Sequence, residues 1–211
     1  MNDFPLIKIA IQKRGKLSGS SMEYLASLGL QFPSGTEKLM VQCANANISL
    51  ITLRDDDIPE MVNRGTVDFG IVGENVLREK GTNVQVVKKL GFGKCRLVLA
   101  VPKNLQITKL RDLDGKRIAT SYPWLLADYL ARENIMATIV PMTGSVEITP
   151  LIDLADAICD LTQTGNTLRE NNLVEIATVL QSQAVLIASP MITATSPFFT
   201  LCRSTARNNL E

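Results

Sequence analysis

Short apolar runs alternate along the chain with stretches in which apolar residues recur every three or four positions, and this predicts an α/β layout with largely parallel strands. Leu6 to Ile11 reads as a first strand, followed by the basic turn Gln12-Lys13-Arg14-Gly15-Lys16. Ser20 or Ser21 can cap a helix with Met22, Leu25 and Ala26 on one face, and Gly29 ends it. Lys38 to Gln42 and Ile48 to Leu53 read as strands, an antiparallel pair around Asn45 to Asn47. Asp57 with Pro59 opens a helix that Gly65 closes. Val67 to Val72 is a buried strand running into Gly73 and Glu74, followed by a short helix to Lys80 and a strand at Val84 to Leu90.

Arg96 to Pro102 is a further apolar strand, and after the polar stretch Lys103 to Lys116 a second series begins. It predicts a strand at Arg117 to Thr120, a helix at Pro123 to Glu133 and a strand at Thr138 to Val140. A short helix around Val146 to Leu154, a strand at Ala157 to Leu161 and a polar loop from Thr162 to Thr167 follow. Strands at Val174 to Leu180 and Ala184 to Ala188 return the chain to its first half. The crossing points fall near residues 101 and 184, so residues 1–100 with 184–211 form one α/β domain and residues 101–183 a second. From Ser189 the pattern is weak and predicts no firm element.

Composition narrows the chemistry. In 211 residues, 22 Lys and Arg face 21 Asp and Glu, a net charge of +1 that gives no broad basic field for nucleic acid. Hydrophobic residues at 45% and charged ones at 20% describe a soluble globular protein. Histidine is absent, which excludes Ser-His-Asp and Cys-His catalysis and any His-based metal site. The four cysteines, Cys43, Cys95, Cys159 and Cys202, lack metal-ligand spacing and read as buried thiols of a reducing compartment. Asp3, Pro5 and Lys8 interrupt any signal-peptide core. The uncharged stretch from Ile176 to Cys202 holds too many polar groups and prolines, Pro190 and Pro197 among them, for a membrane span. A cytoplasmic protein without membrane contact is expected.

The strongest local signal is Asp160-Leu161-Thr162-Gln163-Thr164-Gly165-Asn166-Thr167-Leu168, directly after an apolar strand. Its glycine permits a tight turn, and hydroxyls with successive N–H groups make a cradle for a phosphate at a helix start. It has neither Walker A nor triple-glycine spacing, and taken alone such a segment is more often only a turn. Asp160 at the strand end changes that balance, because a carboxylate there can accept from both hydroxyls of a ribose whose 5′-phosphate lies in the turn.

This segment, with GSVEITPLIDLADAIC before it, resembles the phosphoribosyl-pyrophosphate loop of the ATP phosphoribosyltransferase family, which opens histidine biosynthesis. The resemblance extends through AIQKRGKLS, LRDDDIP, VDFGIVGENVL, LGFGKCRLVLA and GKRIATSYP, in the family's order. It implies two α/β domains of the periplasmic-binding-protein type with substrates in a central cleft. The implied reaction joins N1 of the adenine of ATP to C1 of phosphoribosyl pyrophosphate, with Mg²⁺ carried by the substrate and no protein-held metal.

By the same resemblance, Thr162, Gln163, Thr164, Gly165, Asn166 and Thr167 bind the 5′-phosphate, Asp160 holds the ribose diol and Glu147 approaches the sugar. Lys13, Arg14 and Lys16 meet pyrophosphate or the ATP phosphates; Gly73 and Glu74, in a Gly70 to Glu74 strand end, line the nucleotide site, and Ser121 and Tyr122 contact substrate. Asp55, Asp56 and Asp57 read as a helix cap with exposed acids, and Trp124 as core. Two positions depart from the family: Asp153 stands where a small residue, most often Gly, is usual, and Lys16 where Arg is common. A homodimeric core is implied, with Phe198, Phe199 and Leu201 as candidate interface residues. Long members carry a C-terminal histidine-binding domain that this chain does not include. A naturally short enzyme, working with a regulatory subunit that resembles histidyl-tRNA synthetase, and a core derived from a long one are both open. The competing function is a non-catalytic small-molecule binding protein on the same two-domain fold.

Overall fold

The computed structural model describes residues 5–33, 38–193 and 195–204. The chain runs β1 (Ile7–Gln12), α1 (Lys16–Ser27), β2 (Met40–Gln42), β3 (Ile48–Leu53), α2 (Ile58–Asn63), β4 (Phe69–Gly73), α3 (Glu74–Lys80) and β5 (Gln85–Lys89). It continues through β6 (Cys95–Pro102), β7 (Arg117–Thr120), α4 (Pro123–Glu133), β8 (Thr138–Pro141), β9 (Ala157–Thr162), α5 (Asn166–Glu170), β10 (Leu173–Ser182), β11 (Ala184–Ala188) and α6 (Pro197–Ser204). Short 3-10 turns cover Asp55–Asp57, Leu110–Leu113 and Val146–Ile152. Two compact units result: one runs to Gly93 and resumes at Gln183, and the other spans Lys94–Ser182.

The first unit is a six-stranded sheet in the order β2-β3-β1-β4-β11-β5. β1 pairs parallel with β3 and β4, whereas β11 pairs antiparallel with β4 and β5, and β2 with β3. The sheet is therefore mixed, not largely parallel. Both faces are covered, which is why β1 and β4 read as near-continuous apolar runs. Ile7, Ile9 and Ile11 pack with Leu25 of α1 and Phe69, while Ala10, Val72 and Ile187 face Ile58 and Val62 of α2. α2 lies hard against β4: a Cβ on Gly70 would stand 2.6 Å from Ile58 Cγ2 and 3.1 Å from Val62 Cγ2, so only glycine allows this approach.

Two expectations change here. α1 begins at Lys16 after Gly15 (φ 123°), not at a Ser20 or Ser21 cap; Ser21 lies buried inside it and Ala26 is exposed. The tail from Ser189 does form an element, α6, whose Phe198 and Phe199 rings lie 4.6 and 5.1 Å from the Phe69 ring. Both phenylalanines are core residues of this unit and not an interface.

The second unit has the strand order β10-β6-β9-β7-β8. β6 pairs antiparallel with β9 and β10, so it belongs to this sheet, and the crossing lies at Gly93/Lys94, not near residue 101. An apolar run buried on both sides does not itself declare its sheet. β7 pairs parallel with β8 and β9. One face packs Leu97, Leu99, Ile118 and Cys159 against Leu126 and Leu130 of α4. On the other, Val98, Ala100 and Ile158 meet Val146 of the 3-10 turn and Leu168 of α5. Trp124 is 66% exposed, not core: Leu125, Leu126 and Leu130 form the buried stripe of α4 and turn Trp124 outward.

Candidate substrate-binding site

The phosphate-type turn stands where β9 ends. Thr162 is buried, and its Oγ1 accepts the Gly165 N–H at 2.9 Å. Gly165 takes the left-handed conformation (φ 76°), reversing the chain into α5. The first turn of α5 closes when the Arg169 N–H donates to the Gly165 carbonyl at 3.1 Å. Helix geometry leaves the N–H groups of Thr167 and Leu168 ahead of that closure without an intrahelical acceptor. A Cβ built on Gly165 meets nothing within 4 Å, so the surface over the turn is open. Gln163, Thr164, Asn166 and Thr167 are exposed around it, and the Arg169 guanidinium donates to Asn166 Oδ1.

Asp160 and Glu147 come together beside this turn. Burial raises the Asp160 carboxyl above its ordinary range and the charge of Glu147 raises it further, against the Leu161 N–H that donates to Asp160 Oδ1 at 2.8 Å. Glu147 enters from the 3-10 turn that begins after Ser145. Asp160 and Thr162 are two apart on β9 and so share a sheet face, the face that carries Val146 and Leu168. Asp160 beside the turn, with Glu147 near enough for its charge to act on it, gives acceptors suited to a sugar's hydroxyls.

In the first unit the ends of β1 and β3 stand side by side, Gln12 opposite Leu53, with the Lys13 N–H donating to the Leu53 carbonyl at 2.7 Å. Gln12, Lys13, Arg14, Leu53, Arg54 and Asp55 line a cavity of about 360 Å³. Lys13 and Arg14 were expected here; Arg54 was not. Its signal was available: it follows a strand that ends beside the basic turn, but the acids at Asp55 to Asp57 disguise it as part of a solvated helix start. Lys16 opens α1 and does not line this cavity. Asp56 pairs with Lys80 Nζ at 3.6 Å. No acid at Asp55 to Asp57 makes a side-chain cap bond to either helix it adjoins.

Of the remaining expected contacts, Glu74 and Tyr122 are bonded within their own units. Glu74 has a nearly buried carboxylate that takes Arg78 Nη2 at 2.7 Å and Lys89 Nζ at 3.4 Å. Gly73 has the Asn75 Oδ1 atom 2.4 Å from where a Cβ would lie. Tyr122 follows β7, donates its N–H to Thr120 Oγ1 at 2.9 Å and packs into the core on the α4 side, away from the turn's face; Ser121 precedes it, half-buried.

Two α/β units joined by two crossings, each with polar and charged residues at the carboxyl ends of its strands, define a fold class that includes solute-binding proteins. The alkanesulfonate-binding protein SsuA from Xanthomonas axonopodis pv. citri superposes with a TM-score of 0.61 at 16% identity, over 97% of this chain and 73% of that one, a likeness of fold. The chain belongs to the ATP phosphoribosyltransferase (HisG) family, whose profile matches residues 54–204. An ATP phosphoribosyltransferase of Cytophaga hutchinsonii is 47% identical over 189 residues, covering 90% of this chain and 66% of that protein. The ATP phosphoribosyl transferase (HisG:HisZ) complex from Thermotoga maritima superposes with a TM-score of 0.78 at 29% identity over 95% of each chain. The chain spans about two thirds of the length of the curated relatives it matches.

Proposed function

We propose that this chain carries the pentosyltransferase activity of its family, joining N1 of the adenine of ATP to C1 of phosphoribosyl pyrophosphate and releasing pyrophosphate, in histidine biosynthesis. The observation that carries this reading is the open Thr162–Thr167 turn with the desolvated Asp160 beside Glu147, in a chain of this family. The turn's N–H groups and hydroxyls bind the 5′-phosphate, and Asp160 with Glu147 accepts from the ribose hydroxyls. Lys13, Arg14 and Arg54 take the pyrophosphate or the ATP phosphates, and Ser121 remains a substrate contact. Glu74 and Tyr122 hold their own units together and Gly73 makes room for Asn75.

Adenine N1 has a free lone pair, so no base has to remove a proton before it attacks C1. The N1–C1 bond forms as the bond from C1 to the diphosphate oxygen breaks, and the electron pair leaves on pyrophosphate. Negative charge grows on that leaving group, and fixed cations and N–H groups stabilise it, which a site without histidine can do. Mg²⁺ arrives with the pyrophosphate as part of the substrate. We also propose a homodimeric core in the cytoplasm, and a regulatory subunit resembling histidyl-tRNA synthetase; the likeness to the Thermotoga maritima complex supports that partner. Among the described residues no helix is long and apolar enough to cross a membrane. The test is the absorbance of phosphoribosyl-ATP formed from ATP, phosphoribosyl pyrophosphate and Mg²⁺, with the chain alone and with a candidate partner. Product in either mixture supports the proposal; none in both, from folded protein, contradicts it.

A further inference from the structure

Arg96 opens β6 directly opposite Thr162 of β9, and Val98 stands opposite Asp160. Opposed residues of antiparallel strands share a face, so the Arg96 side chain rises on the face that carries Asp160, Thr162 and the turn. On the other flank of β6, Glu175 and Thr178 of β10 reach the same guanidinium: Nη1 donates to Glu175 Oε1 and, at 3.3 Å, to Thr178 Oγ1. Thr178 Oγ1 in turn donates to Glu175 Oε1 at 3.0 Å. Both contacts use one nitrogen, leaving Nε–H and Nη2–H₂ without a partner among the described residues. The side chain is 39% exposed, so these donors are open to a ligand. Arg96 is also the only cation in the sequences of β6, β9 and β10.

We propose that Arg96 is a further substrate-binding residue, whose Nε–H and Nη2–H groups hold the diphosphate of phosphoribosyl pyrophosphate. This rests on the assignment of the Thr162–Thr167 turn to the 5′-phosphate. With the phosphate beyond Thr162 and the diol at Asp160, the sugar lies along the end of β9. Its C1 substituent carries the ligand's largest negative charge over strands whose other charged side chains, Asp160 and Glu175, are acids. Arg96 is the cation one strand away, about 5 Å across the sheet, and Glu175 with Thr178 fixes its fork for a bidentate contact.

The test compares two ligands by titration calorimetry: phosphoribosyl pyrophosphate with Mg²⁺, and ribose 5-phosphate, which lacks the diphosphate. Arg96→Met is expected to weaken the first by roughly 10- to 100-fold and to leave the second within about twofold of wild type. Arg96→Lys keeps the charge but not the fork, and is expected to fall between; it decides the matter if the Met variant does not fold. Equal loss for both ligands, the mark of a merely structural pair, overturns the proposal, as does unchanged binding of phosphoribosyl pyrophosphate. Wild-type protein that binds neither ligand overturns the assignment of the turn itself, and this proposal with it.

Discussion

The buried hydroxyl of Thr162 holds the N–H of Gly165 at 2.9 Å, so the turn between β9 and α5 is braced from inside while its outer surface stays open. The bracing explains how a glycine turn keeps one shape: the left-handed Gly165 is tied to a residue locked in the sheet. Gly165→Ala is expected to destabilise the fold by about 1 kcal/mol through its φ of 76°, since the methyl itself meets no neighbour. The methyl would stand over the open surface, so ribose 5-phosphate affinity should fall by at least tenfold, more than the stability loss. Chemical denaturation and calorimetry on the same variant separate the two effects.

Asp160→Asn should move stability and activity in opposite directions. Burial and Glu147 raise the folded-state pKa of Asp160, so its ionised form opposes folding at neutral pH. The amide can still accept the Leu161 N–H, and the variant is expected to melt higher than wild type near pH 7. As pH falls through the raised folded pKa toward the unfolded value near 4, wild type takes up its proton and the variant's advantage shrinks. Turnover should drop on the order of 10² or more, because the ribose loses a charged acceptor. Melting curves from pH 7 to pH 4 and the product assay check both halves.

Asp153 adopts the left-handed conformation (φ 55°) at the end of the Val146–Ile152 turn, a conformation that glycine reaches without strain. Asp153→Gly is expected to stabilise the chain by about 0.5 kcal/mol, the relief of backbone strain being partly offset by the freer unfolded chain. The Arg117 Nη1 bond to the Asp153 carbonyl, at 2.7 Å, uses backbone and should survive. A denaturation midpoint shifted upward at unchanged slope is the expected result.

Phe198 and Phe199 show what the pattern of the chain could not convey. Phe198 is 1% exposed against Phe69, and Phe198→Ala should cost about 3–5 kcal/mol by equilibrium denaturation. Strong local signals were legible: β7 and α4 lie at Arg117–Thr120 and Pro123–Glu133, where the pattern placed them. So were the loop after β9 and the basic turn after β1, because glycine, hydroxyls and charge at strand ends are local chemistry. Long-range placement was hidden. α6 has an apolar face of only two turns, and its burial depends on Phe69, far away in sequence. β6 is apolar on both sides, so its partners decide its sheet. Arg54 gains meaning only once β3 lies beside β1.

The most direct measurement is a crystal structure of the chain with phosphoribosyl pyrophosphate and Mg²⁺. The 5′-phosphate is expected within hydrogen-bond distance of the Thr167 and Leu168 N–H groups that the start of α5 leaves unpaired, with the ribose hydroxyls on the Asp160 carboxylate. A ligand bound elsewhere, with the Thr162–Thr167 turn empty, would contradict the account.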